Sequence, residues 1–104
     1  MPHFAAIGFD HPPHSMVLRD RHRPGHRRYV LENAAPILMT GAMRDGEGNQ
    51  CGTIYVFDMS SEADVWAWLE AEPFYRNGIY QSMRVVEWTP AYNLFEPRDW
   101  PKPA

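Results

Sequence analysis

The sequence predicts an α+β domain in which two helices cover one face of a four-stranded antiparallel sheet, in the order β-α-β-β-α-β. Three observations predict it. Apolar and polar residues alternate in segments near both ends of the chain and beside a glycine-rich turn, two intervening segments carry helical spacing, and 104 residues suffice for one core but not for two.

His3 to Phe9 mixes small, β-branched and aromatic side chains and stops at Asp10-His11-Pro12-Pro13, where two prolines lack donors for further pairing. This is the first strand and its turn. Ser15 to Asn33 is helical in pattern, but Pro24 lies inside it and would interrupt the hydrogen-bond ladder. Two segments are therefore expected, the second with Pro24 in its first turn, where a missing N–H costs nothing. His26, Tyr29, Val30 and Asn33 then share one face. Ala35 to Met43 is apolar, and the following "RDGEGNQ" holds Asp45-Gly46 and Gly48-Asn49, dipeptides suited to positive φ; Gly52 to Asp58, "GTIYVFD", is the most strand-like run. Together they predict a hairpin. In "SSEADVWAWLEAE", Ser61 stands three residues before Asp64 in a capping arrangement, with Val65, Trp66 and Leu69 as the apolar face and an end near Glu72, before Pro73. "PFYRNGIY" reads as a turn, and Ser82 to Trp88 as the fourth strand.

This order is the split arrangement of ferredoxin-like domains. It leaves one sheet face uncovered, and both parities of the fourth strand carry apolar residues, so a second copy of the chain is expected to bury that face in a dimeric α+β barrel. Residues 1–90 are read as the domain. Residues 91–104, with their prolines and Phe95, are read as an extended C-terminal arm across the partner or the sheet edge.

Ten Lys and Arg against thirteen Asp and Glu give a formal net charge of −3, which exerts no global pull toward polyphosphate. One cysteine, Cys51, excludes an internal disulfide framework, suits a reducing compartment and is read as structural. The start "MPHFAAIGFD" has no basic n-region, and no apolar run approaches the roughly 18 residues of a spanning helix. A cytoplasmic protein with no membrane partner is expected.

Against this acidic background, "LRDRHRPGHRRYV" (Leu18 to Val30) concentrates five arginines and two histidines in thirteen residues. A nucleic-acid grip is disfavoured, because the stretch lacks interleaved aromatics before Tyr29 and the remaining surface repels phosphate. A metal site is disfavoured too. His11-x-x-His14 and His22-x-x-x-His26 offer imidazoles, but Pro24 disturbs the second spacing and no cysteine cluster assists. A pocket wall fits better: Arg19 and Arg23 can form a planar fork for a carboxylate or phenolate, with an ion-pair network to Asp20, Asp10 or Glu32 as the competing reading. Arg21, Arg27 and Arg28 are read as exterior. Phe74 and Tyr75, with Tyr29 nearby, would supply the apolar wall. No nucleotide-binding glycine motif occurs, and neither an organic cofactor nor a metal is expected.

"LRDRHRPGHRRYV" resembles the arginine-x-x-x-arginine-proline-x-histidine-x-x-tyrosine element of the YciI-like (YCII-related) family. "AEPFYRNGIY" resembles its second element, an acidic residue, proline and an aromatic followed by glycine, and "ILMTGAMRDGEGNQCGTIYVFD" matches the hairpin between them. The resemblance implies a dimeric ferredoxin-like domain with a cleft holding a histidine and an acidic residue as a catalytic dyad. By position these are His26 and Glu72, the latter standing where the family usually has aspartate. Asp10, which matches another acidic position of the family, is the substitute orienting group should Glu72 point outward. A carboxylate beside the ring would fix its tautomer and let His26 take a proton from a small anionic cyclic compound and return it elsewhere, as isomerisation, elimination and dehalogenation require. Two other classes stay open on the residues alone: a ligand-binding or accessory domain using the same cleft without chemistry, and a dimerisation module.

Overall fold

A computed structural model describes residues 2–91. The elements are β1 (His3–Asp10), α1 (Met16–Glu32), β2 (Ile37–Arg44), β3 (Gln50–Asp58), α2 (Glu62–Glu70), α3 (Pro73–Arg76) and β4 (Tyr80–Trp88). Spatially the strands run β2-β3-β1-β4, and every neighbouring pair is antiparallel. The expected ferredoxin-like α+β architecture is therefore the observed one. The arm expected at 91–104 lies outside the described residues apart from Ala91.

Strand alternation places the core. On β1, Phe4, Ala6 and Asp10 are buried while Phe9 is exposed. Register sets Phe4 opposite Phe57 and Ala6 opposite Tyr55, so these residues share the helix-covered face. Small Ala6 leaves room for the large rings of β3. Trp68 of α2 meets Tyr55 and Phe57 edge-on, with ring centroids 5.1 and 5.0 Å apart, and Val65 and Leu69 complete the contact. Gly52 must lack a side chain, because a Cβ there would stand 2.5 Å from the Gly8 carbonyl oxygen on β1.

Turn chemistry matches its sequence signals. The Asp45 carboxylate accepts from the backbone N–H groups of Glu47 and Asn49, and Gly48 takes φ of +84° to close the β2–β3 hairpin. The Ser61 hydroxyl accepts from the Asp64 N–H at 3.2 Å and caps α2.

Three expectations about helices are corrected. Pro24 does not divide α1, which runs unbroken from Met16 to Glu32. Pro24 and Asp20 are both exposed, so the Asp20 carbonyl that loses its helical donor faces water and the interruption is tolerated. α2 ends at Glu70 rather than near Glu72. The supposed turn after it begins with one helical turn, α3, for which Pro73 supplies the first position and Glu72 the N-cap. No helix among the described residues is long and apolar enough to cross a membrane.

Candidate active site

α1 meets the sheet through a face that changes character along its length. Tyr29 and Val30, in its C-terminal half, pack on the core, whereas Arg19, Arg23 and His26 occupy the N-terminal and middle turns of the same face, at the i, i+4, i+7 spacing. Charged side chains can face a sheet only if partners await them there.

Arg19 shows how this is met. It is only 2% exposed, and its guanidinium grips Asp10 with two bonds, Nε to Oδ2 at 2.7 Å and Nη2 to Oδ1 at 2.8 Å. Nη2 also donates to the Thr53 hydroxyl at 3.0 Å, and the guanidinium carbon lies 5.1 Å from the centre of the Phe74 ring. Burial pulls the Arg19 pKa down, but the bond to Asp10 and its charge outweigh burial and leave it above the ordinary arginine value. Two readings are thereby corrected. The fork of Arg19 is spent on Asp10, so the ion pair that competed with a ligand fork is the arrangement observed. Asp10 in turn is taken by Arg19 and by the Ser15 N–H, so it does not orient His26.

Glu72 does. As the N-cap of α3, it accepts from the N–H groups of Phe74 and Tyr75, each at 3.0 Å, and this capping fixes a side chain that is wholly buried. The same Oε1 receives Nδ1 of His26. The longer glutamate thus reaches the imidazole while still capping its own helix. Phe74 stacks on the other side of the arrangement, its ring 3.9 Å from the His26 ring and within 4° of parallel. With Nδ1 facing the carboxylate, Nε2 is the ring nitrogen that the pair leaves over.

Beside the imidazole is a cavity of about 180 Å³ between α1 and the β2–β3 edge of the sheet, lined by Arg19, Arg23, His26, Thr40, Gln50, Thr53 and Phe74, with Arg27 and the Gly41–Ala42 backbone. A cavity of roughly 150 Å³ accommodates a benzene ring, so the space suits one small ring. Arg23 bridges its rim, donating through Nη1 to Asp20 and through Nη2 to Gln50 Oε1 at 3.0 Å.

Of the residues expected at the site, the fold brings His26, Glu72, Arg23 and Phe74 together, with Arg19 in the wall behind them. Tyr29 is not among them: its hydroxyl donates to the Trp68 carbonyl at 2.7 Å, and burial and the Glu72 charge raise its pKa. It ties α1 to α2 instead. Arg27, expected outside, is exposed but rims the cavity. Thr40, Gln50, Thr53 and Tyr80 lie within the stretches that resemble the family but were not singled out as site residues. Only the parity of Thr53 with Tyr55 and Phe57, which sets it on the helix-covered face, could have marked it. The Tyr80 hydroxyl donates to Thr53 at 2.9 Å, and burial holds the phenols of Tyr55 and Tyr80 far above their ordinary range, so both keep their protons. Among the described residues no group of three or more His, Cys, Asp or Glu is placed to hold a metal.

Fold and site together define a ferredoxin-like α+β domain with an imidazole–carboxylate pair beside a small cavity. The chain belongs to the YCII-related domain family, whose sequence model matches residues 4–89. No curated protein matches its sequence. Among solved structures it is similar to the 5-chloro-2-hydroxyhydroquinone dehydrochlorinase of Burkholderia phenoliruptrix in complex with 2,5-dihydroxybenzoquinone, at 23% identity and a TM-score of 0.76 over 84% of this chain and 93% of that one. An antibiotic biosynthesis monooxygenase aligns with a TM-score of 0.53 at 18% identity, over 86% of this chain and 98% of the other. At these identities the likeness is one of fold.

The buried pair makes a sharp stability prediction. Asp10→Ala strands the Arg19 guanidinium and is expected to cost about 3–5 kcal/mol in urea unfolding, whereas Asp10→Leu with Arg19→Met costs less than the single change; a loss below about 1 kcal/mol for Asp10→Ala would contradict the pairing. For the dyad, nitrogen NMR of neutral His26 is expected to show the hydrogen on Nδ1 and to lose that preference in Glu72→Ala. A neutral ring protonated on Nε2 would remove Glu72 as its orienting acceptor.

Proposed function

We propose that this protein is a small cytoplasmic, homodimeric enzyme performing general acid–base chemistry on a small anionic cyclic or aromatic-derived compound, with His26 as base and acid and Glu72 as the group that orients it. The observation that carries the reading is the anchored imidazole: Nδ1 tied to a buried carboxylate, the ring stacked on Phe74, and a cavity of one-ring size on its free side.

In the proposed reaction Nε2 takes the proton of a ring hydroxyl. The electron pair left on oxygen forms a carbonyl as the ring double bond shifts, and the proton held on Nε2 is delivered to a ring carbon, which completes an isomerisation. On a ring whose newly protonated carbon bears halogen, a second ring hydroxyl gives its proton to the freed Nε2, its electron pair forms the second carbonyl, the ring double bond shifts and halide leaves from that carbon, so that one hydrogen halide is lost and a quinone remains. Arg23 and Arg27 at the rim attract the anionic substrate and lower the energy of the oxyanion as charge builds. The dehydrochlorinase that shares this fold acts on a chlorinated, hydroxylated ring and binds a dihydroxybenzoquinone, which supports this substrate class.

The dimer rests on the open sheet face. By register, Phe9, Met39, Ile54 and Trp88 all point away from the helices, and all are exposed. A contiguous apolar face of this kind calls for cover, and a second sheet is the simplest complement.

Turnover tests the chemistry. With a panel of hydroxylated and chlorinated hydroquinones and small lactones, His26→Ala is expected to lose at least about a hundredfold in kcat while ligand still raises its melting temperature. A variant that retains turnover would overturn the role of His26. Ligand binding by the wild type without turnover would instead assign the cleft to recognition alone. Sedimentation equilibrium is expected to give twice the chain mass, and Ile54→Glu to halve it; a monomeric wild type would defeat the dimer.

A further inference from the structure

Thr53 carries two incoming hydrogen bonds, one from Arg19 Nη2 at 3.0 Å and one from the Tyr80 hydroxyl at 2.9 Å. A guanidinium has no lone pair to offer, so the direction of the first bond is fixed. Tyr80 stays protonated inside the fold, and its hydrogen needs an acceptor, since a buried hydroxyl hydrogen left unpaired is costly. Thr53 Oγ1 supplies that acceptor. A threonine hydroxyl accepts two hydrogen bonds and donates one. With both acceptor positions filled, the hydrogen of Thr53 is left for the side that remains, and Thr53 lines the cavity.

The other polar groups around the cavity share this polarity. Gln50 turns Oε1 to Arg23, a pure donor, and so keeps its amide N–H groups for a ligand. Arg23 and Arg27 can only donate. Thr40 is the exception: its hydroxyl hydrogen is spent on the Ile54 carbonyl at 2.9 Å, so it can only accept.

We infer that Thr53 is a specificity-determining donor whose hydrogen seats an already ionised oxygen of the ligand, while Nε2 of His26 faces a second, still protonated hydroxyl of the same ring. This inference rests on the acid–base reading of the cavity and sharpens it. The preferred substrate is a singly ionised ring bearing at least two oxygens: a neutral hydroxyl at Thr53 would set donor against donor, and a missing proton at His26 would leave nothing to transfer.

The probe is 2,5-dihydroxy-1,4-benzoquinone, whose two hydroxyls are both ionised at neutral pH so that it reports the oxyanion seat at Thr53 and not the proton facing His26, titrated by absorbance into wild type, Thr53→Ser and Thr53→Val. Its dimethoxy analogue, with the same ring and no ionised oxygen, is the control. Wild type and T53S are expected to bind the anion within about threefold of each other and T53V to bind it about ten- to a hundredfold more weakly. The dimethoxy analogue is expected to bind weakly to all three. Because T53V also removes the acceptor used by Arg19 and Tyr80 and could unfold, a wild-type co-crystal provides the second measurement: a ligand oxygen is expected within about 3 Å of Thr53 Oγ1. A folded T53V that binds like wild type, or a ligand oxygen held elsewhere in the crystal, overturns the role of Thr53 and leaves the acid–base reading standing. Wild type that binds neither probe overturns both.

Discussion

The helix that carries the candidate base lies on the sheet through arginine, and the arrangement depends on the two-pronged bond between Arg19 and Asp10. A guanidinium that is 2% exposed has no water to fall back on. Three of its five hydrogens go to two carboxylate oxygens and a threonine hydroxyl, and its flat faces lie near Phe74 and Tyr80. The pair joins the end of the central strand β1 to the second turn of α1. Arg23 and His26 follow on the same helix face, one and two turns further along.

A second economy lies at Glu72. One carboxylate caps the start of α3 and meets the imidazole of His26, so the cap and the histidine's acidic neighbour are the same group. Phe74, two residues on, is positioned by that cap and returns as the surface on which the imidazole lies. Local chain geometry and site geometry are thus set by a single side chain. This explains how glutamate can stand where aspartate is usual: capping from one methylene further out still leaves Oε1 in reach of α1.

Much of this was legible in the residues. The order of strands and helices followed from alternation and from turn chemistry at Asp45, Gly48 and Ser61, and the histidine and its acidic partner followed from two motifs far apart in sequence. Less legible was anything that depended on which side of an element faced water. Pro24 read as a break because its position on the exposed side of α1 is a property of packing. Asp10 and Glu72 were both eligible partners for His26, and Arg19 settled the matter by occupying one of them. Tyr29 shares a helix face with His26, but one turn further along, that face has already passed from the cavity to Trp68. Thr53 and Gln50 were silent because their roles arise from hydrogen-bond saturation by residues distant in sequence.

The two walls of the cavity are not equally firm. α1 is pinned through its buried ion pair, while the opposite side is formed in part by Thr40, Gly41 and Ala42 of β2, a border strand laddered to β3 alone. The strand side of the cavity is therefore the more compliant wall and the helix side the more resistant one.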